Sequence, residues 1–192
     1  MMDLRRWSLL GVSLAAVLVL GCGVAFAAQT YPDRTGDVKG GRGADITSIA
    51  VSNTRTAVTF RVRFAKAPPL RLSTREGWVD MLLIGVDVPP LGLPPAIPGG
   101  EWRGANFYLG THGPSKTGLM VRLAQGESRR LADFKIVTVG STLTFSIPRR
   151  ALGNPAFFTF TVAAAREMAK DATGGGVDIA PARGTFRYAL TG

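Results

Sequence analysis

This chain of 192 residues has almost no histidine or cysteine and few acidic side chains for its size. It contains one histidine, His112, and one cysteine, Cys22. Cys22 falls in a leader-like segment, so residues 28–192 can form neither a disulfide nor a Cys-His nucleophile pair. His112 sits in the turn-like run Thr111-His112-Gly113-Pro114. No serine and acid are singled out to complete a triad with it; Ser115 is merely close. No G-x-S-x-G elbow occurs. Gly110 to Thr117 approaches a phosphate loop, but Ser115 stands where glycine should precede Lys116, and a strand pattern follows where a helix is required. Enzymatic activity, nucleotide binding and a nucleic-acid partner are therefore not expected.

The scarce acids give the chain its charge. Thirteen Asp and Glu face 23 Lys and Arg, for a net charge of +10. The arginines form no long run, which fits solvated strand faces. The alternative partner is an acidic polymer of the cell envelope, or a polysaccharide, drawn by the positive field.

Residues 1–27 read as a signal peptide helix. Arg5 and Arg6 form a basic start, Trp7 to Leu20 is an uncharged apolar run, and Ala25-Phe26-Ala27 is an A-x-A cleavage signal. Val19-Leu20-Gly21-Cys22 also approximates a lipobox, which would place a lipid on Cys22. An uncleaved leader would instead be an N-terminal anchor, since it is nearly the ~20 residues needed to span a bilayer. Either route would give the only membrane contact. The expectation is an exported protein, secreted or attached to the envelope, with one domain at 28–192.

That domain reads as strands. Val58, Phe60, Val62 and Phe64 alternate with polar residues, as do Leu143, Phe145 and Ile147, then Phe158, Phe160, Val162 and Ala164, then Phe186, Tyr188 and Leu190. Trp78 to Val86 is nearly continuous apolar sequence, which suits a central strand. Further strands are expected at Ile46–Ser52, Asn106–Gly110, Leu119–Ala124 and Lys135–Val139. About nine short strands with Gly, Pro and Asn turns predict an all-β fold, an antiparallel β-sandwich of jelly-roll type. Pro148 to Gly153 predicts one helical turn, and Glu167 to Ala172 another. Val88 to Gly100 carries Pro89, Pro90, Pro94, Pro95 and Pro98, which rules out a central strand there.

Four acids stand out against the basic background. Asp33, Asp37 and Asp45 flank a Gly-rich loop near the start of the domain, and Asp178 follows Gly174-Gly175-Gly176 near its end. Calcium takes six to eight oxygens from carboxylates, carbonyls and water. These four residues are candidate calcium ligands if the first and last strands lie side by side. The bland reading is that each Asp only caps its own turn.

The order of Asp33-x-x-Gly36-Asp37, a Gly-rich loop, Asp45-Ile46 and a strand with Val58 and Phe60 resembles the start of secreted domains of the family 9 carbohydrate-binding-module and DOMON type. Asp178-x-Ala180-Pro181 followed by a strand with Tyr188 resembles their close. The resemblance implies a β-sandwich with a structural calcium near its termini. Asn106 stands where such domains often carry a second acid, so a second metal is not implied.

Sugar binding in that group uses exposed aromatic rings. Trp102 and Tyr108 are the candidates here, while Trp78 opens an apolar strand and is expected in the core. The sequence reads as an exported non-catalytic binding or structural module. Two alternatives stay open: a carbohydrate-binding module using Trp102 and Tyr108, and a secreted glycan-active hydrolase using Asp87 with Glu101. Asp80 does not pair with Asp87, because an odd spacing on one strand puts them on opposite faces.

Overall fold

A computed structural model describes residues 28–40, 42–89, 105–124, 127–168 and 175–192. The leader with Cys22, and Glu101 and Trp102, lie outside the described residues. Twelve strands form, all pairing antiparallel: β1 (Gln29–Pro32), β2 (Ile46–Asn53), β3 (Ala57–Phe64), β4 (Leu72–Ser73), β5 (Trp78–Asp87), β6 (Phe107–His112), β7 (Thr117–Ala124), β8 (Glu127–Val139), β9 (Thr142–Pro148), β10 (Phe157–Met168), β11 (Val177–Ala180) and β12 (Phe186–Ala189). They make one continuous sheet in the order β1-β2-β3-β9-β8-β7-β6-β5-β10-β11. β12 pairs with β10, and β4 with β5.

The long strand β8 joins the two limbs of the sheet. Residues up to Lys135 pair with β7, and Ile136–Val139 pair with β9. The sheet curls so that the apolar faces of both limbs meet. Phe60 on β3 lies 5.6 Å from Phe145 on its own limb, and 6.0 and 5.7 Å from Phe158 and Phe160 on β10. All three of Phe60, Phe158 and Phe160 are fully buried. Period-two alternation makes this possible, because it sends every second side chain of β3, β9 and β10 to the same face. Each buried phenylalanine contributes about 1.5–3 kcal/mol.

The nine strands expected from the pattern are present, several with longer bounds. The three others, β1, β4 and β11, are only two to four residues long. One helical expectation holds, as a 3-10 turn at Arg149–Leu152. The other is corrected in part. Glu167 and Met168 continue β10, paired with Val79 and Trp78, and the rest of that segment lies outside the described residues. The long neighbour β5 supplies ladder partners that outweigh the local turn signal. Trp78 also departs from expectation, since it is half-buried and not in the core.

The two ends of the sheet are stitched together. Lys39 and Val177 exchange backbone hydrogen bonds of 2.8 and 3.0 Å. The Tyr31 hydroxyl donates to the Arg187 carbonyl at 2.5 Å. The Asn53 amide donates to the Thr191 carbonyl at 2.7 Å, and the Tyr188 hydroxyl donates to Asn53 Oδ1 at 2.8 Å. The first and last strands therefore lie close, which was the geometric condition for a site shared between them.

Candidate metal centre

Three elements deliver the acids. Asp33 follows β1, and its backbone N–H donates to the Thr47 carbonyl at 3.0 Å. Asp37 lies on the Gly-rich loop, two residues before the Lys39–Val177 bridge. Asp178 stands on β11, where strand alternation turns it inward. Carboxylate oxygens of Asp33, Asp37 and Asp178 all lie within 4.8 Å of one another.

Asp45 is placed differently from the other three. Both of its carboxylate oxygens accept from the Gly36 N–H, at 3.2 and 3.0 Å, so it caps the turn between Asp33 and Asp37. It still adds negative charge next to the cluster, pushing up the pKa values of Asp33 and Asp178.

Few of the cluster's carboxylate oxygens find a donor among the described residues. Asp178 is 1% exposed and, among the described residues, accepts one hydrogen bond, from the Ile46 N–H at 2.5 Å. Asp33 Oδ2 and Asp37 Oδ1 are buried and have no hydrogen-bond partner among the described residues. Burial, then the neighbouring carboxylates, push the Asp178 pKa up to about 7, against the pull of the Ile46 N–H. Burial also takes Asp33 up to about 6, with Asp37 and Asp45 adding to it and the Arg34 N–H opposing. Buried carboxylates normally find donors or a counter-cation. This donor set is all oxygen, with no His or Cys in the group, which suits a hard cation over zinc or copper.

Two glycines allow close backbone contacts beside the acidic cluster. A Cβ on Gly176 would lie 1.6 Å from the Arg42 carbonyl oxygen, and one on Gly175 would lie 1.8 Å from that of Arg166. Only glycine allows the Arg42 backbone to approach residue 176 this closely, just before β11. The Gly-rich runs visible in the sequence thus serve backbone contact between chain ends.

Tyr108 does not converge with the acids, and Trp102 lies outside the described residues. Tyr108 is half-buried on β6 and lines a separate cavity of about 530 Å³ with Leu83 and Val121. Burial raises its pKa. His112 is exposed at the rim of the same cavity. Asp87 accepts from the Asn106 amide at 3.2 Å, and burial raises its pKa. Asp80 is buried on the opposite face of β5, as its spacing required.

Sequence reasoning missed one group. Arg166 donates Nε to Asp80 Oδ1 at 2.8 Å and Nη2 to Asp80 Oδ2 at 3.1 Å, while Asp80 Oδ2 also accepts from the Arg71 N–H. The Arg166 guanidinium lies 3.6 Å from the centre of the Trp78 ring. The only sequence signal was an aspartate in an otherwise apolar strand, which demands a buried counter-charge without naming it.

Comparison with known proteins adds no relative: no family model, curated protein or solved structure matches the chain.

Proposed function

We propose that this chain is an exported, non-catalytic binding or structural module of the cell envelope or extracellular space, with calcium held by Asp33, Asp37 and Asp178. In this reading the metal is a clasp. It neutralises three carboxylates and ties the acidic loop after β1 to β11. One observation carries it: three carboxylates within 4.8 Å, two of them with a buried oxygen that has no hydrogen-bond partner among the described residues. The curled sheet fits the sandwich or jelly-roll class with its limbs joined along β8, supported by the ring contacts from Phe60 to β10. The terminal position of the acids fits the resemblance to family 9 carbohydrate-binding-module and DOMON domains, in which the calcium is structural. Export rests on the leader sequence alone.

Chelation tests the clasp. Calcium at about 100 times its Kd stabilises by about 2.7 kcal/mol, and removing it lowers Tm by about 5–10 °C in a domain of this size. Asp37→Ala abolishes the difference between chelated and calcium-loaded protein. An unchanged melting curve on chelation refutes the clasp.

The cavity at Tyr108 favours a second reading, carbohydrate binding, since it puts a half-buried ring beside polar groups that include Thr111 and Asp133. A polysaccharide pull-down lost in Tyr108→Ala or Trp102→Ala supports it; retention in both removes these residues from the role.

A further inference from the structure

A second cavity, of about 400 Å³, lies beside the acidic loop and has the opposite charge. Arg42, Lys66, Arg71 and Arg166 line it, against the carboxylates of Asp45 and Asp80. Both carboxylates are engaged. Asp45 accepts from the Gly36 N–H, and Asp80 accepts from Arg166 and from the Arg71 N–H. Arg42, Lys66 and Arg71 have no ion-pair partner among the described residues. Arg166 keeps Nη1 without an acceptor among them.

The Arg166 guanidinium and the Arg42 backbone are held in place. Buried Asp80 grips the Arg166 guanidinium through two bonds, and Trp78 stacks on it at 3.6 Å. The backbone of Arg42 is set by its contact with Gly176, and that of Arg166 by its contact with Gly175 and by its N–H donating to the Gly176 carbonyl at 2.8 Å. One glycine pair thus stations both arginines at the same cavity. An adjoining cavity of about 420 Å³ shares Arg42 and Arg166 and reaches the Trp78 ring.

We infer that this cavity binds an oxyanion, a carboxylate or phosphate group carried by an acidic ligand. Guanidinium groups match both oxyanions through paired donors, and a preorganised guanidinium loses less freedom on binding. Lys66 adds an exposed ammonium to the lining. Asp33, Asp37 and Asp178 do not line this cavity, so an anion bound there touches none of the proposed metal ligands.

Calorimetric titration of the full chain with inorganic phosphate and, separately, trigalacturonate tests it. Buffers are low in salt and passed over chelating resin, so that no added chelator competes as an anion. At least one of the two anions binds saturably, and which one binds separates phosphate from carboxylate. Arg42→Gln with Lys66→Gln weakens that binding about a hundredfold, roughly tenfold for each lost charge. Both side chains are exposed, so the double variant folds, and its melting curve checks this. Lys66→Gln alone gives about a tenfold loss. Arg130→Gln, on the exposed face of β8, leaves affinity within about twofold. Absence of binding of either anion overturns the inference. So does undiminished binding in the double variant, or an equal loss in Arg130→Gln, which would mark a general effect of net charge.

Discussion

Replacing Asp178 by asparagine should stabilise the metal-free protein at high pH, although it removes a buried carboxylate that accepts a hydrogen bond. Asp178 is 1% exposed, and its pKa is pushed from the usual 3.8 up to about 7. A carboxyl with a raised folded pKa favours folding most when protonated. Its contribution is complete below pH ~4, the unfolded value, and is lost as pH rises through about 7. At about 1.4 kcal/mol per pH unit, the loss between pH 4 and 8 is at most about 4 kcal/mol, and solvent relaxation brings it nearer 2. Asp33, raised to about 6, adds to the same slope, discounted because it is only half-buried. The amide introduced by Asp178→Asn does not ionise, and its oxygen still accepts from the Ile46 N–H. Urea unfolding in metal-free buffer should therefore give equal stability for wild type and Asp178→Asn at pH 4, with the variant ahead by about 2–4 kcal/mol at pH 8. Comparing the two chains cancels the general effect of the +10 net charge. Calcium should reverse the order at pH 8, because it replaces the missing counter-charge only in wild type. A variant less stable than wild type at pH 8 without metal would refute the reasoning.

Other perturbations separate the remaining parts of the account. Arg166→Met strands the Asp80 carboxylate, 2% exposed, and should lower unfolding free energy by about 3–5 kcal/mol in urea; Asp80→Asn added to it should recover part of that loss. Gly176→Ala drives a Cβ to 1.6 Å from the Arg42 carbonyl and should destabilise by about 1–3 kcal/mol, with calcium affinity falling as the acidic loop lifts from β11; unchanged melting and calcium binding would contradict the role given to this contact. Phe60→Ala, at the contact between the limbs, should lose about 3–5 kcal/mol, and a loss below ~1 kcal/mol would mean the limbs do not share one core.

Strand identity was legible because alternation is a local signal. Thr59, Arg61 and Arg63 against Val58, Phe60 and Val62 define both the element and its buried face. The three missed strands are too short to show a period, and β11 is a strand because β10 pairs with it. Glu167 and Met168 were misread for a related reason, since their strand state is imposed by Val79 and Trp78, far away in sequence.

The site was legible in composition and less so in membership. Acids beside glycines at both ends of a basic chain pointed to Asp33, Asp37 and Asp178, which the fold brings together. Asp45 has the same sequence context, yet its carboxylate turns to the Gly36 N–H. Whether a carboxylate joins the cluster or turns to a backbone N–H depends on the path of the loop, which no spacing encodes. The Asp80–Arg166 pair and the cationic cavity were invisible, because they join residues 86 positions apart.

Calorimetric titration of metal-free protein with calcium near pH 7.5 tests the central claim most directly. The account predicts one saturable site per chain, absent in Asp33→Ala and in Asp37→Ala, and weaker but present in Asp45→Ala. No saturable binding at millimolar calcium, or undiminished binding in Asp33→Ala and Asp37→Ala, would contradict it.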